Sequence, residues 1–154
     1  MSSFDDVRRA RMLVRRYLRF GTRSTAEVRA YLEARHVSDS TSRALIAECV
    51  RHGWLDDRLS ATLWATRLCD QGYAWPAIRE RLRAKGFNEQ LISTVFRPLQ
   101  RDADDETRAR ALAQARSRRM PPDDPRLARW LARRGFDADL ITRVLAEAFT
   151  PSSD

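Results

Sequence analysis

Apolar residues recur three and four positions apart along nearly the whole chain. Leu13, Val14, Tyr17 and Leu18 form one such set, Ile78 and Leu82 another, and Leu91 with Val95 a third. That spacing puts them on one face of a helix. No segment alternates apolar and polar residues as a half-buried strand would, and β-branched residues are sparse. The polar positions mark where helices begin. Ser24-Thr25-Ala26-Glu27 has the form of a capping box, with hydroxyl and carboxylate each taking an orphan amide. Asp56/Asp57, Asn88 and Asp137 precede apolar runs as N-caps, while Trp75-Pro76 and Asp124-Pro125 place proline at a first helical position. Glycine marks the ends: Gly21, Gly53, Gly72, Gly86 and Gly135 each follow an amphipathic stretch. These signals predict nine helices, at roughly 5–20, 25–35, 41–52, 57–71, 76–85, 89–97, 105–118, 125–134 and 138–148. Loops are expected at 98–104, opened by Pro98, and at 119–124, where Met120-Pro121-Pro122 stops a helix.

The helices repeat. At a shift of forty-nine residues, Leu82, Gly86-Phe87, Leu91-Ile92 and Val95 fall on Leu131, Gly135-Phe136, Leu140-Ile141 and Val144. At a shift of fifty, Val28, Leu32 and Val37 fall on Ile78, Leu82 and Phe87, with His36 standing where the other copies have glycine. A repeat of this length is a supersecondary unit that buries its apolar faces partly on its neighbours. The expected architecture is all-α: three tandem three-helix repeats at 1–53, 54–100 and 101–150, forming an elongated, curved, solenoid-like array.

Charge adds a second layer. The 154 residues carry 29 basic and 21 acidic side chains, a net charge of +8, and every basic residue except Lys85 is arginine. The excess is concentrated in the first repeat, where eleven arginines face six carboxylates, about +5. Arg8, Arg9, Arg11, Arg15, Arg16, Arg19 and Arg23 form a run with no acid among them. On a helix Arg8, Arg11, Arg15 and Arg19 share a stripe. Arg79 and Arg83, next to Lys85, form a second stripe, and Arg126, Arg129 and Arg133, next to Arg134, a third. Such stripes suit contact with an extended polyanion through its phosphates, since guanidinium groups donate paired hydrogen bonds. A solvated arginine face balanced by acids elsewhere is the plainer reading for any single side chain. Helices 89–97 and 138–148 carry few base-reading side chains, which disfavours sequence-specific readout.

Catalytic chemistry is not in view. His36, His52 and Cys49 lack metal-ligand spacing, Cys49 falls at a repeat position held elsewhere by Val95 and Val144, and Cys69 reads as a small apolar residue. There is no phosphate-binding glycine loop or nucleophile elbow. The acidic runs Asp56-Asp57, Asp104-Asp105-Glu106 and Asp123-Asp124 precede helices, where capping and the helix dipole account for them. Trp54, Trp64, Trp75 and Trp130 read as core residues or inter-repeat wedges. No enzyme activity, metal or cofactor is expected. With no apolar run of about 20 residues and no signal-peptide layout, the chain is expected to be cytoplasmic, monomeric and away from membranes.

Several of these segments, taken in order, resemble the RecX family of bacterial recombination regulators. They are Gly53-Trp54-Leu55-Asp56-Asp57 with Arg58 and Arg67, then Gly72, then Ile78-Arg79, Leu82 and Lys85-Gly86-Phe87, then Leu91-Ile92. The last is Arg129-Trp130-Leu131-Ala132-Arg133-Arg134-Gly135-Phe136, followed by Ile141 and Val144-Leu145. The likeness covers about 16–148. It departs at Leu59, where the family has an aromatic residue, and at His36. The resemblance implies a non-enzymatic modulator that binds the RecA–single-stranded DNA filament along its groove. It further implies inhibition of strand exchange and of RecA's coprotease function, and so effects on DNA repair and the SOS response. The residues expected from the basic stripes to make filament or DNA contacts are Arg8, Arg11, Arg15, Arg19, Arg23, Arg79, Arg83, Lys85, Arg126, Arg129, Arg133 and Arg134. The alternative from the residues alone is a basic nucleic-acid-binding protein with no recombinase partner.

Overall fold

The computed structural model describes residues 3–149. Among the described residues there are nine helices and no strand: α1 (Ser3–Leu18), α2 (Thr25–Glu33), α3 (Asp39–Arg51), α4 (Asp57–Asp70), α5 (Trp75–Ala84), α6 (Glu89–Asp102), α7 (Asp105–Arg116), α8 (Pro125–Arg133) and α9 (Ala138–Phe149). They follow one another as three tandem three-helix repeats. The loop expected at 98–104 is mostly helix, because α6 runs through Pro98 to Asp102. Proline has no amide hydrogen, so the helical ladder loses one bond there. The buried side chains of Val95 and Phe96 anchor the turn before it. Asp104 then caps α7 by accepting from the Thr107 amide at 2.8 Å.

Packing groups the chain into two compact bodies. One runs through Leu63 and includes Leu82–Ile92; the other comprises Trp64–Arg81 and the described residues from Ser93 onward. In the first, α1, α2 and α3 touch pairwise around Val14, Val28, Leu32, Leu45, Ile46 and Cys49, with Tyr17 and Leu18 at the edge. In the second, α7, α8 and α9 touch pairwise around Ala109, Ala113, Leu127, Leu131, Phe136, Ile141 and Val144. Cys49 is buried as the repeat position implied, and burial raises its thiol pKa. Trp75 is buried against Phe96, but Trp54 is not a core residue. It is 53% exposed and stacks on His52 at 4.8 Å.

Each body contains the same helix-end junction, built from equivalent residues. In the first, the capping box forms as the sequence implied: Glu27 N–H donates to Ser24 Oγ at 3.0 Å and Ser24 N–H to the Glu27 carboxylate at 2.9 Å. The Ser24 hydroxyl then donates to the Lys85 carbonyl at the end of α5. Asp56 caps α4 through the Leu59 amide at 3.0 Å, whereas Asp57 turns to α2. There it accepts from the Thr25 amide and hydroxyl, both at 2.8 Å. In the second body the Ala74 amide donates to the Arg134 carbonyl at 2.8 Å. Asp105 accepts from the Trp75 amide at 3.0 Å, as Asp57 does from Thr25. Gly86 and Gly135 sit in these junctions with φ of +84° and +89°. A Cβ on Gly135 would lie 2.6 Å from the Ala77 methyl, and one on Gly86 would collide with that of Ala26. Only glycine satisfies both the left-handed backbone and the close approach.

Candidate nucleic-acid interface

The arginines expected to form three stripes divide into two kinds. In the first body, Arg8, Arg11 and Arg15 are exposed on α1, and Arg19, also exposed, lies one residue past its end. Arg11 reaches Glu48 of α3 at 2.9 Å, and this bond lowers the Glu48 pKa. Arg8, Arg15 and Arg19 make no ion pair among the described residues. Arg23 is half-buried with its guanidinium 4.4 Å from the Tyr17 ring centre, and Tyr17 stacks on Tyr31 at 4.0 Å. It therefore helps tie α1 to α2.

The middle stripe does not present a free cationic face. Arg79 is half-buried over Phe96 at 5.5 Å, and its Nε is shielded from solvent. Arg83 is paired with Glu89, and Lys85 donates to Glu27 at 3.3 Å from a half-buried position. Positions 79 and 83 share a face of α5, and each meets one side chain of α6: Phe96 for Arg79 and Glu89 for Arg83.

On α8, Arg126, Arg129 and Arg133 are exposed opposite the buried Leu127 and Leu131. Arg126 folds back on its own N-cap, with Nη2 2.7 Å from Asp124. The pair lowers the Asp124 pKa and raises that of Arg126. Arg129 Nε donates to the Pro125 carbonyl at 3.2 Å, and Arg133 makes no ion pair among the described residues. Arg134 leaves the stripe. It donates to the Gln71 carbonyl at 2.8 Å and lies against the Tyr73 and Trp130 rings.

Two features were missed from sequence. Arg108 is nearly fully buried, donating to the Cys69 and Tyr73 carbonyls and to Asp105 at 3.2 Å, with its guanidinium over Trp75. The position is held by Ser60 in the preceding repeat, so the repeat offered no matching charge. Ser60 instead donates to the Arg23 carbonyl. The second is the run Arg116-Ser117-Arg118-Arg119 at the end of α7. Its three arginines line a groove of about 540 Å³ with Asp70, Leu112 and Trp130. Its signal was the density of arginine before the prolines. Among the described residues, no group of histidine, cysteine, aspartate and glutamate is arranged to hold a metal ion, and no helix is long and apolar enough to cross a membrane.

The described residues form an all-helical protein of three-helix units, with exposed arginines on α1 and α8 among other helices. Comparison with known proteins places it more narrowly. Residues 104–145 match the family model of RecX, third three-helix domain. The chain is 32% identical over 148 residues to the regulatory protein RecX of Mycobacterium leprae, covering 92% of this chain and 86% of that protein. It is 30% identical to the regulatory protein RecX of Thermobifida fusca, over 90% and 78% of the two chains. The crystal structure of RecX from Lactobacillus salivarius shares the fold, with a TM-score of 0.72 at 17% identity over 94% of this chain and 97% of that one. The chain belongs to the RecX family of regulatory proteins.

Proposed function

We propose that this chain regulates the RecA recombinase by binding its filament on single-stranded DNA and limiting its activity, with no catalysis of its own. Family membership supports RecA as the partner. The observation that carries the mode of action is the exposed arginine face of α1, where Arg8, Arg15 and Arg19 make no ion pair among the described residues. Guanidinium groups without internal partners keep their full hydrogen-bonding capacity for phosphate or for carboxylate on the filament. The exposed Arg129 and Arg133 of α8 add a second face of the same chemistry. Occupation of filament surface in this way obstructs further assembly and the incoming duplex, which lowers strand exchange and coprotease function.

The test is RecA-dependent ATP hydrolysis and strand exchange with substoichiometric amounts of this protein, alongside pull-downs on free RecA and on RecA assembled on single-stranded DNA. The expected result is inhibition well below stoichiometry and retention on the filament in preference to free RecA. Equal capture of both forms, with undisturbed strand exchange, would sink the reading. Tight binding to naked DNA that RecA does not alter would make the protein a general nucleic-acid binder instead.

A further inference from the structure

The second body contains a continuous ladder of guanidinium groups and aromatic rings. Arg81 lies 4.0 Å from the Tyr73 ring centre, and Arg134 lies 4.6 Å from Tyr73 and 5.2 Å from Trp130. Arg116 closes the series 3.8 Å from Trp130. Arg116 is the end that lines the groove holding Arg118 and Arg119. Arg116 is half-buried, close over the Trp130 ring, and lines the groove, so a cation next to an aromatic surface borders the open space. Arg118 and Arg119 are exposed, and none of the three makes an ion pair among the described residues. Asp70 is the acid lining this groove, which leaves a local excess of two positive charges. The volume falls within the roughly 300–1,000 Å³ of small-ligand sites. One arginine in the last turn would suffice to offset the α7 dipole; Arg118 and Arg119 lie beyond that turn.

We propose that this groove is a docking site for a single nucleic-acid strand, with a base stacked on the outer face of Arg116 and adjacent phosphates held by Arg118 and Arg119. A flat cation backed by an indole stacks on any base, but a paired base is already covered by its neighbours, so the site selects single strand over duplex. The proposal rests on the reading above for the source of the strand, a recombinase filament, but assigns the contact to α7 and the following loop.

The experiment omits RecA, so its outcome is independent of the recombinase assays. Fluorescence anisotropy of a labelled oligothymidylate and of a labelled duplex is measured against the full chain, with circular dichroism of each variant as a check of folding. R118E/R119E is expected to bind the single strand severalfold more weakly, with a salt slope smaller by about 0.7 per lost phosphate contact. R116K keeps the charge and loses the plane. It is expected to weaken single-strand binding about fivefold or more while leaving duplex binding and the salt slope unchanged. Full binding by R118E/R119E would overturn the proposal, as would equal loss on single strand and duplex for R116K. Displacement of the strand by a polyglutamate peptide of equal charge at equal concentration would make this an acidic-peptide site and also overturn it.

Discussion

His36 and Gly135 occupy equivalent places in their repeats, and their backbones agree although their side chains do not. His36 has a φ of +59°, in the left-handed region where glycines 86 and 135 also lie. A non-glycine residue there is strained by roughly 1 kcal/mol. The His36 side chain is exposed, so removing it forfeits little packing. His36→Gly is therefore expected to raise the stability of the folded chain by up to about 1 kcal/mol in urea denaturation. Gly135→Ala acts in the opposite direction. It combines the left-handed backbone with a Cβ 2.6 Å from that of Ala77, and is expected to cost more than about 1 kcal/mol. Sequence comparison of the repeats marks His36 as a divergence; the conformation shows that only the residue type diverged. The glycines themselves were legible because a left-handed helix end has a strong residue preference. Their collision with Ala26 and Ala77 was not, because it depends on helices more than fifty residues apart in sequence.

At the scale of the element, two of the three acidic pairs before helices divide their work. Asp56 and Asp104 cap their own helices, as expected, while Asp57 and Asp105 bind the start of another helix. Asp57→Ala is expected to cost about 1–2 kcal/mol, the range for loss of a cap, since it removes the two bonds to Thr25. Asp105→Ala is expected to cost about 3 kcal/mol or more, because it also strips the carboxylate from the buried Arg108. Chemical denaturation of the two variants checks the order. Acid sensitivity follows from the same groups. The pKa of Asp104 is lowered by the Thr107 amide, that of Asp124 by Arg126 and that of Glu48 by Arg11. A lowered folded-state value contributes stability that is present above the unfolded value and is lost as pH falls through the folded one. Asp105 is shifted upward, chiefly by burial, so its protonation favours the folded state and works against that loss. The melting temperature is expected to fall as pH drops below the ordinary aspartate value of 3.8. D104A/D124A starts less stable and is expected to lose less over the same range. The capping half of this arrangement could be read from sequence because capping is local. The bridging half could not, since nothing in Asp57 or Asp105 names a partner about thirty residues away.

For the whole molecule, the helical class and the family likeness were legible in the chain, because both follow from periodicity and from the order of short segments. The arginine face was legible only in part. Which side of a helix carries cations follows from spacing, but which cations stay exposed depends on what packs beside them. α1 and α8 leave theirs exposed, whereas on α5 Arg79 lies over Phe96 and Arg83 is paired with Glu89. Charge reversal should separate these cases. R129E/R133E is expected to weaken filament binding with the helical circular dichroism and melting temperature unchanged. Arg79→Glu is expected to lower the melting temperature, since it removes the cover over Phe96 and places a carboxylate in a half-buried site. A binding loss from Arg79→Glu without any thermal effect would restore the middle stripe as a contact surface.

Lys85 has a consequence outside binding altogether. As the sole lysine it is the one side-chain amine in the sequence, and it sits at a helix junction, paired with Glu27 while its own carbonyl receives the Ser24 hydroxyl. Acylation of that amine abolishes its charge and its ion pair, so side-chain amine chemistry and the integrity of the junction are coupled. The rate at which a mild acylating reagent marks Lys85 in the full chain against an E27Q variant, read by peptide mass, reports how strongly the Glu27 pair protects that amine.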